Sequence, residues 1–199
     1  DYAEGDIFRI AQKRQRNDYA KIQDVLMKNL RIIDQAVQNK GQVIGLPTGF
    51  KQLDEKTSGL QPSDLIIVAA RPGMGKTAFA LNIAQQSAVK AGASVLIFSL
   101  EMSQEQLGQR LIAMQARVES EKLKKGTLDL KDWDRINFAL NELNNTKIVI
   151  DDTPGISITE LRSKCRKMKL EHGLSLVIID YLQLMSGSKK GGNDNRQQE

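Results

Sequence analysis

The sequence predicts an α/β fold: a mainly parallel sheet with helices on both faces. Three observations predict it. Four short apolar runs, at 65–70, 95–100, 148–150 and 176–179, have the length and continuous apolar character of strands covered on both faces. Segments with a helical repeat lie between them, the alternation that parallel sheets require. The first run leads into a glycine-rich turn, Ala70-Arg71-Pro72-Gly73-Met74-Gly75-Lys76-Thr77, with a helical segment directly behind it.

Composition sets the frame. A chain of 199 residues holds one compact domain with a sizeable core plus an appendage. A formal charge of +5 permits a nucleic-acid partner without requiring one. One cysteine and one histidine exclude an internal disulfide and a Cys/His zinc cluster, and they fit a reducing cytoplasm. No apolar run approaches the roughly 20 residues that span a bilayer, and the chain opens without a secretion-signal pattern, so no membrane role is expected.

Taken in order, 1–45 reads as a linker region. Residues 1–17 are polar, and 19–39 carries one helical stripe of Ile22, Val25, Leu26, Leu30, Ile33 and Val37. The opposite face holds Lys21, Asp24, Lys28, Arg31 and Asp34, and Gly41 ends the helix. The stripe needs cover, either from its own domain or from a neighbouring subunit. The main domain is expected over 46–199, with 45–59 as a connection containing Pro47, Gly49 and Gly59. After the first strand and turn, a helix is expected over 77–90, stopping near Gly92. The next begins at Ser103 with a capping box, Ser103-Gln104-Glu105-Gln106, and shows Leu107, Leu111, Met114 and Val118 on one face. A third carries Trp133, Ile136, Leu140 and Leu143, which places Trp133 in the core. A fourth begins at Ser157 with a second box, shows Leu161, Cys165 and Met168, and carries Arg166, Lys167 and Lys169 toward its C-terminal end. Cys165 reads as a small core residue, and His172 as a cation at a helix end. The segment 186–199 is almost free of apolar side chains and reads as a mobile loop on the sheet edge where ligands bind in such folds.

The turn is a phosphate-binding P-loop. Gly73 and Gly75 can take left-handed dihedrals and let a phosphate approach the backbone. The following helix offers free N–H groups and a positive dipole end. Lys76 is placed to reach the β- and γ-phosphates, and the Thr77 hydroxyl to hold Mg²⁺. Ala70 stands where the pattern has glycine, and it fits if its φ stays negative. A second metal-side carboxylate comes from Leu176-Val177-Ile178-Ile179-Asp180, four apolar residues ending in Asp at a strand tip. Glu101, at the end of Ile97-Phe98-Ser99-Leu100-Glu101-Met102, is the candidate general base; the plainer reading is a glutamate at a helix start.

With these residues in place, the chain resembles the DnaB-type replicative DNA helicases. The resemblance covers most of 45–199. It rests on Thr48-Gly49-Phe50-Lys51-Gln52-Leu53-Asp54, Gly59-Leu60-Gln61-Pro62, the P-loop, Phe98-Ser99-Leu100-Glu101-Met102 and Ile178-Ile179-Asp180-Tyr181-Leu182-Gln183-Leu184-Met185. The family accepts alanine at the first P-loop position; Ser63 stands where its members commonly have glycine.

The resemblance implies a RecA-like ATPase that assembles as a homo-hexameric ring on single-stranded DNA and translocates 5′ to 3′. It implies ATP and Mg²⁺ as cofactors, with a helicase loader and primase as partners. It assigns nucleotide binding to Arg71, Pro72, Gly73, Met74, Gly75, Lys76, Thr77 and Ala78, metal binding to Thr77 and Asp180, and catalysis to Glu101 and Lys76. Arg110 either contacts phosphate or is a solvated helix charge. Lys189, Lys190 and Arg196 fall where a pore loop would face DNA, and the stripe of 22–37 matches a linker helix that docks on the adjacent subunit.

Such helicases also carry an N-terminal primase-binding domain and continue well past position 199 with more strands, a switch glutamine and an arginine finger. The expectation is therefore an incomplete sheet with an exposed edge, weak ATP hydrolysis and no unwinding by these 199 residues alone. A recombinase- or clock-type RecA-like ATPase and a non-enzymatic ATP-binding module are the alternatives.

Overall fold

The computed structural model describes residues 21–38 and 43–186, which fall into two units that meet between Ile44 and Gly45. The first unit holds helix α1 (Ile22–Gln38), with Asp24 in its first turn. Within this unit the stripe Ile22, Val25, Leu26, Leu30, Ile33 and Val37 stands exposed. The expected helix end at Gly41 and the polar segment 1–17 lie outside the described residues.

The second unit contains α2 (Lys51–Thr57), α3 (Lys76–Ala91), β1 (Ser94–Ser99), α4 (Gln104–Ala116), α5 (Ser120–Lys125), α6 (Leu130–Asn144), β2 (Lys147–Asp151), α7 (Ile158–His172), β3 (Leu176–Asp180) and a 3₁₀ turn, Leu182–Leu184. The strands form a parallel sheet in the order β2-β1-β3. Val95 is opposite Ile148 on one side and Leu176 on the other, while Phe98 faces Asp151 and Ser99 faces Asp180. The carboxyl ends of all three strands thus lie on one edge.

All six residues of β1 are buried, which explains its unbroken apolar run. Its side chains alternate between two layers. Val95 and Ile97 join Leu81, Ala84 and Ala88 of α3 and Leu107 and Leu111 of α4. Leu96 and Phe98 join Ile156, and Leu161 and Met168 of α7, with Cys165 packed alongside. Burial pushes the Cys165 thiol up from its ordinary value, away from nucleophilic thiolate character. A third cluster, Ala116, Val118, Ile136 and Ala139, fastens α6 to the end of α4. Both expected capping boxes form, Ser103 with Gln106 and Ser157 with Glu160. His172 is the last residue of α7, before Gly173.

Two expectations fail. The run 65–70 forms no strand: it has no ladder partner, and Leu65 and Ile67 are 84% and 72% exposed. An apolar run becomes a strand only beside a free edge, and among the described residues this segment joins neither β2 nor β3. Trp133 is not core but 52% exposed. The buried face of α6 runs through Asp132, Ile136 and Ala139, one position away from the assumed stripe. Asp132 turns inward because it accepts a bond from Lys122 (3.0 Å) and completes a capping box with Asp129. In addition, the connection 45–59 contains the short helix α2.

Candidate nucleotide site

The P-loop leads into α3 along the carboxyl edge of the sheet. Gly73 and Gly75 have φ of 77° and 90°, and an added Cβ would meet no atom within 4 Å at either. The glycines are therefore required by backbone conformation and leave open space where a ligand can approach. Ala70 is not among the positive-φ residues, so alanine fits there without strain. Gly75 is the N-cap of α3, with no side-chain hydrogen bond and no acid in the first turn. The contrast with α4, α6 and α7 is sharp, because each of those satisfies its N-terminal donors with a capping box. The first turn of α3 keeps its N–H groups and positive dipole end for an anion.

Thr77 and Asp180, 103 residues apart, meet here: the Thr77 hydroxyl donates to Asp180 Oδ2 at 2.6 Å. Asp180 is the last residue of β3, and its carbonyl accepts from the Leu100 N–H at 2.8 Å. The peptide bond from Asp180 to Tyr181 is cis, and the Lys76 ammonium lies 5.5 Å from the centre of the Tyr181 ring. Lys76, Thr77 and Asp180 thus stand together, with Tyr181 as a neighbour that sequence reasoning gave no role.

Glu101 lies in the turn between β1 and α4, one residue beyond the Leu100–Asp180 bond, and is exposed. The turn is held from within: the Ser99 hydroxyl donates to the Met102 carbonyl (2.7 Å), and the Met102 N–H donates back to it (3.3 Å). Arg71, Pro72, Met74 and Ala78 line the loop and are exposed. Arg110 is exposed on α4, and among the described residues no hydrogen bond or ion pair joins it to the loop. Lys189, Lys190 and Arg196 lie outside the described residues.

Two supporting features escaped the sequence reading. Buried Thr48 donates from its N–H (2.9 Å) and hydroxyl (2.7 Å) to Asp54, and the Gly49 N–H donates to the same carboxylate (3.1 Å). This segment lies along α3: the Ser87 hydroxyl donates to the Pro47 carbonyl (2.7 Å), and Phe50 stacks on Phe79 at 5.1 Å. The Thr48-Gly49…Asp54 block carried the signal, but without a partner to explain it. The second feature is an acidic pair past β2. Burial pushes the Asp151 carboxyl up, yet bonds from Lys164 and Thr153 together outweigh it and hold the group below its ordinary 3.8. Asp152, held below its ordinary value by bonds from the Gln104 side chain and backbone, sits at the start of α4.

Among the described residues no group of three or more His, Cys, Asp or Glu is arranged to hold a metal, and no helix is long and apolar enough to cross a membrane. A nucleotide-bound Mg²⁺ does not need such a cluster. One hydroxyl and one carboxylate are hard oxygen donors, and the phosphates and water supply the rest; the Thr77–Asp180 pair fits that description. An open hollow lined by Gln115, Arg117, Asp134, Arg135 and Phe138 includes none of the loop residues.

The parallel sheet, the uncapped P-loop helix and the carboxylate at a strand tip define a P-loop α/β domain of the RecA-like class. A family model described as the DnaB-like helicase C-terminal domain matches residues 45–199, and the chain belongs to that family. It is 49% identical over 197 residues to the replicative DNA helicase DnaC of Bacillus subtilis (strain 168), covering 99% of this chain and 43% of that protein. It is 45% identical over 199 residues to the replicative DNA helicase DnaB of Geobacillus stearothermophilus, covering 100% and 44%. A solved structure of a DnaB-like replicative helicase, described with its interactions with primase, superposes with a TM-score of 0.76 at 33% identity, over 98% of this chain and 46% of that one. A solved helicase-type ATPase domain reaches 0.81 at 35% identity, over 90% and 62%. The chain therefore spans less than half the length of these curated relatives.

Proposed function

We propose that this chain is the nucleotide-binding part of an ATP-dependent replicative DNA helicase. The observation that carries the proposal is the meeting of Thr77 and Asp180 beside an uncapped helix N-terminus that Lys76 opens. Family membership supports the wider reading.

In this reading the P-loop N–H groups of 71–78 and the Lys76 ammonium bind the triphosphate. Lys76 leaves the face of Tyr181 to do so, exchanging a weak cation–π contact for charge-assisted bonds. Thr77 and Asp180 hold Mg²⁺, which supplies charge neutralisation to the β- and γ-phosphates when bound. Glu101 accepts a proton from water as the water oxygen bonds to the γ-phosphorus. The bond from that phosphorus to the β–γ bridging oxygen breaks, giving ADP and inorganic phosphate. Arg110 contacts phosphate only if α4 brings it closer than it stands here.

The remaining assignments follow the family. They are a cytoplasmic homo-hexamer, single-stranded DNA bound through Lys189, Lys190 and Arg196, 5′ to 3′ movement, and a loader and primase as partners. Residues 1–45 form the linker, with its stripe on the adjacent subunit, and 46–199 belong to the ATPase domain. The deciding experiment uses the full-length protein and Glu101→Gln. Single-stranded DNA should stimulate ATP hydrolysis by the wild type, and the variant should bind ATP normally while losing most of that hydrolysis. Undiminished hydrolysis by the variant would remove Glu101 from the mechanism.

A further inference from the structure

The side chain proposed as the general base has no anchor of its own. Among the described residues Glu101 makes no hydrogen bond and no ion pair, so its position depends on the backbone turn that carries it. That turn is fastened at three points. On the β3 side, the Leu100 N–H donates to the Asp180 carbonyl. Inside the turn, Ser99 and Met102 bond to each other. On the far side, Asp152 receives both the Gln104 N–H on Oδ2 (3.0 Å) and the Gln104 side-chain amide on Oδ1 (2.7 Å).

The third fastening exceeds what helix capping needs. Helix α4 already has a complete capping box, in which the Ser103 hydroxyl accepts from Gln106 N–H and the Gln106 side chain from Ser103 N–H. A carboxylate from another strand, bound to Gln104 through both oxygens, does something further. It ties the residue three positions after Glu101 to the end of β2. The neighbouring Asp151 is itself held by Lys164 of α7 and by Thr153, so the tether runs back into a braced strand end. The turn bearing Glu101 is thereby suspended between β3, through Leu100, and β2, through Gln104.

We infer that Asp152 is a positioning residue for Glu101: it fixes the β1–α4 turn at the distance from the P-loop that water activation requires. The inference rests on Glu101 being the general base. Misplacement of a catalytic group by about 1 Å costs up to about 10²-fold in rate, and loss of one of three fastenings should cost less.

The test measures steady-state ATP hydrolysis and equilibrium ATP binding by the full-length protein with single-stranded DNA. Asp152→Ala should lower kcat about tenfold while KM and ATP affinity stay within about twofold. Asp152→Asn keeps one acceptor for the Gln104 N–H and should recover part of the loss. In a Glu101→Gln background, Asp152→Ala should add less than about a twofold further loss, because a residue that acts through Glu101 has nothing left to position. Three results overturn the inference: an unchanged kcat in Asp152→Ala, a loss that multiplies with that of Glu101→Gln, or a loss of ATP affinity equal to the loss of rate. If Asp152→Ala does not fold, Asp152→Asn decides alone, and wild-type kcat there overturns the inference. Should Glu101→Gln hydrolyse ATP normally, the base assignment fails first and this inference with it. Loss in Glu101→Gln with none in Asp152→Ala refutes only the role of Asp152.

Discussion

Replacing Asp54 with alanine tests how the P-loop helix is held. The carboxylate, nearly buried in α2, accepts three bonds: from the Thr48 N–H, the Thr48 hydroxyl and the Gly49 N–H. Thr48 is fully buried, so water cannot readily replace the lost acceptor there. Gly49 sits so close to α3 that a Cβ on it would lie 2.6 Å from the Gln86 side chain, which leaves the segment little room to relax. A hydrogen bond to a charged group contributes about 1.5–3 kcal/mol, and removing the acceptor leaves buried donors unpaired. Three such bonds, less the desolvation relieved by deleting the carboxylate, give a net cost of about 3–4 kcal/mol. That is a large share of a total stability of about 5–15 kcal/mol. Asp54→Asn keeps the shape and one carbonyl oxygen but turns an NH₂ toward a donor, and should cost about half as much. The assay is urea unfolding of the 199-residue chain, followed by circular dichroism, with the slope m checked for constancy. A cost below about 1 kcal/mol for Asp54→Ala would refute the view that this carboxylate braces the segment along α3.

Further predictions concern backbone, acid and solvent exposure. Ser63 and Arg117 adopt φ of 73° and 52°, so Ser63→Gly and Arg117→Gly should each raise stability by about 0.5–1 kcal/mol; unchanged or lower urea midpoints would contradict the assignment. The Asp151 carboxyl is held below its ordinary 3.8, so its contribution is complete above about pH 4 and is lost as pH falls through the lower folded value. Lys164→Met should therefore flatten the acid limb of stability below about pH 4 and leave its slope between about pH 5 and 8 unchanged, read from urea midpoints against pH. Trp133, the single tryptophan, should be readily quenched by acrylamide in the folded chain; strong protection would restore the core assignment.

How far the sequence reached depended on the kind of signal. The phosphate loop was legible because its chemistry is local: strand-like run, glycines, Lys76 and Thr77 lie within a dozen positions. Asp180 was legible because an apolar run ending in a carboxylate has one natural place in a parallel sheet. The capping boxes at Ser103 and Ser157 set two helix starts correctly, again from four-residue patterns. The run 65–70 misled because apolar continuity reports a liking for burial and says nothing of which edge is free to pair with. Trp133 misled because the buried face of α6 is set by Asp132, a residue that a hydrophobic stripe leaves out. Asp54 and Asp152 went unread because each works through partners fixed only by folding: Thr48 across a loop, and Gln104 at a separation of 48 positions.

The central claim is that the loop before α3 is a site for a nucleoside triphosphate built on Lys76, Thr77 and Asp180. Equilibrium titration of ATP with Mg²⁺ into the wild-type protein and Lys76→Ala tests it most directly. Loss of the ammonium from an anion site should weaken binding at least about 30-fold, roughly 2 kcal/mol. Affinities within about twofold of each other would contradict the account.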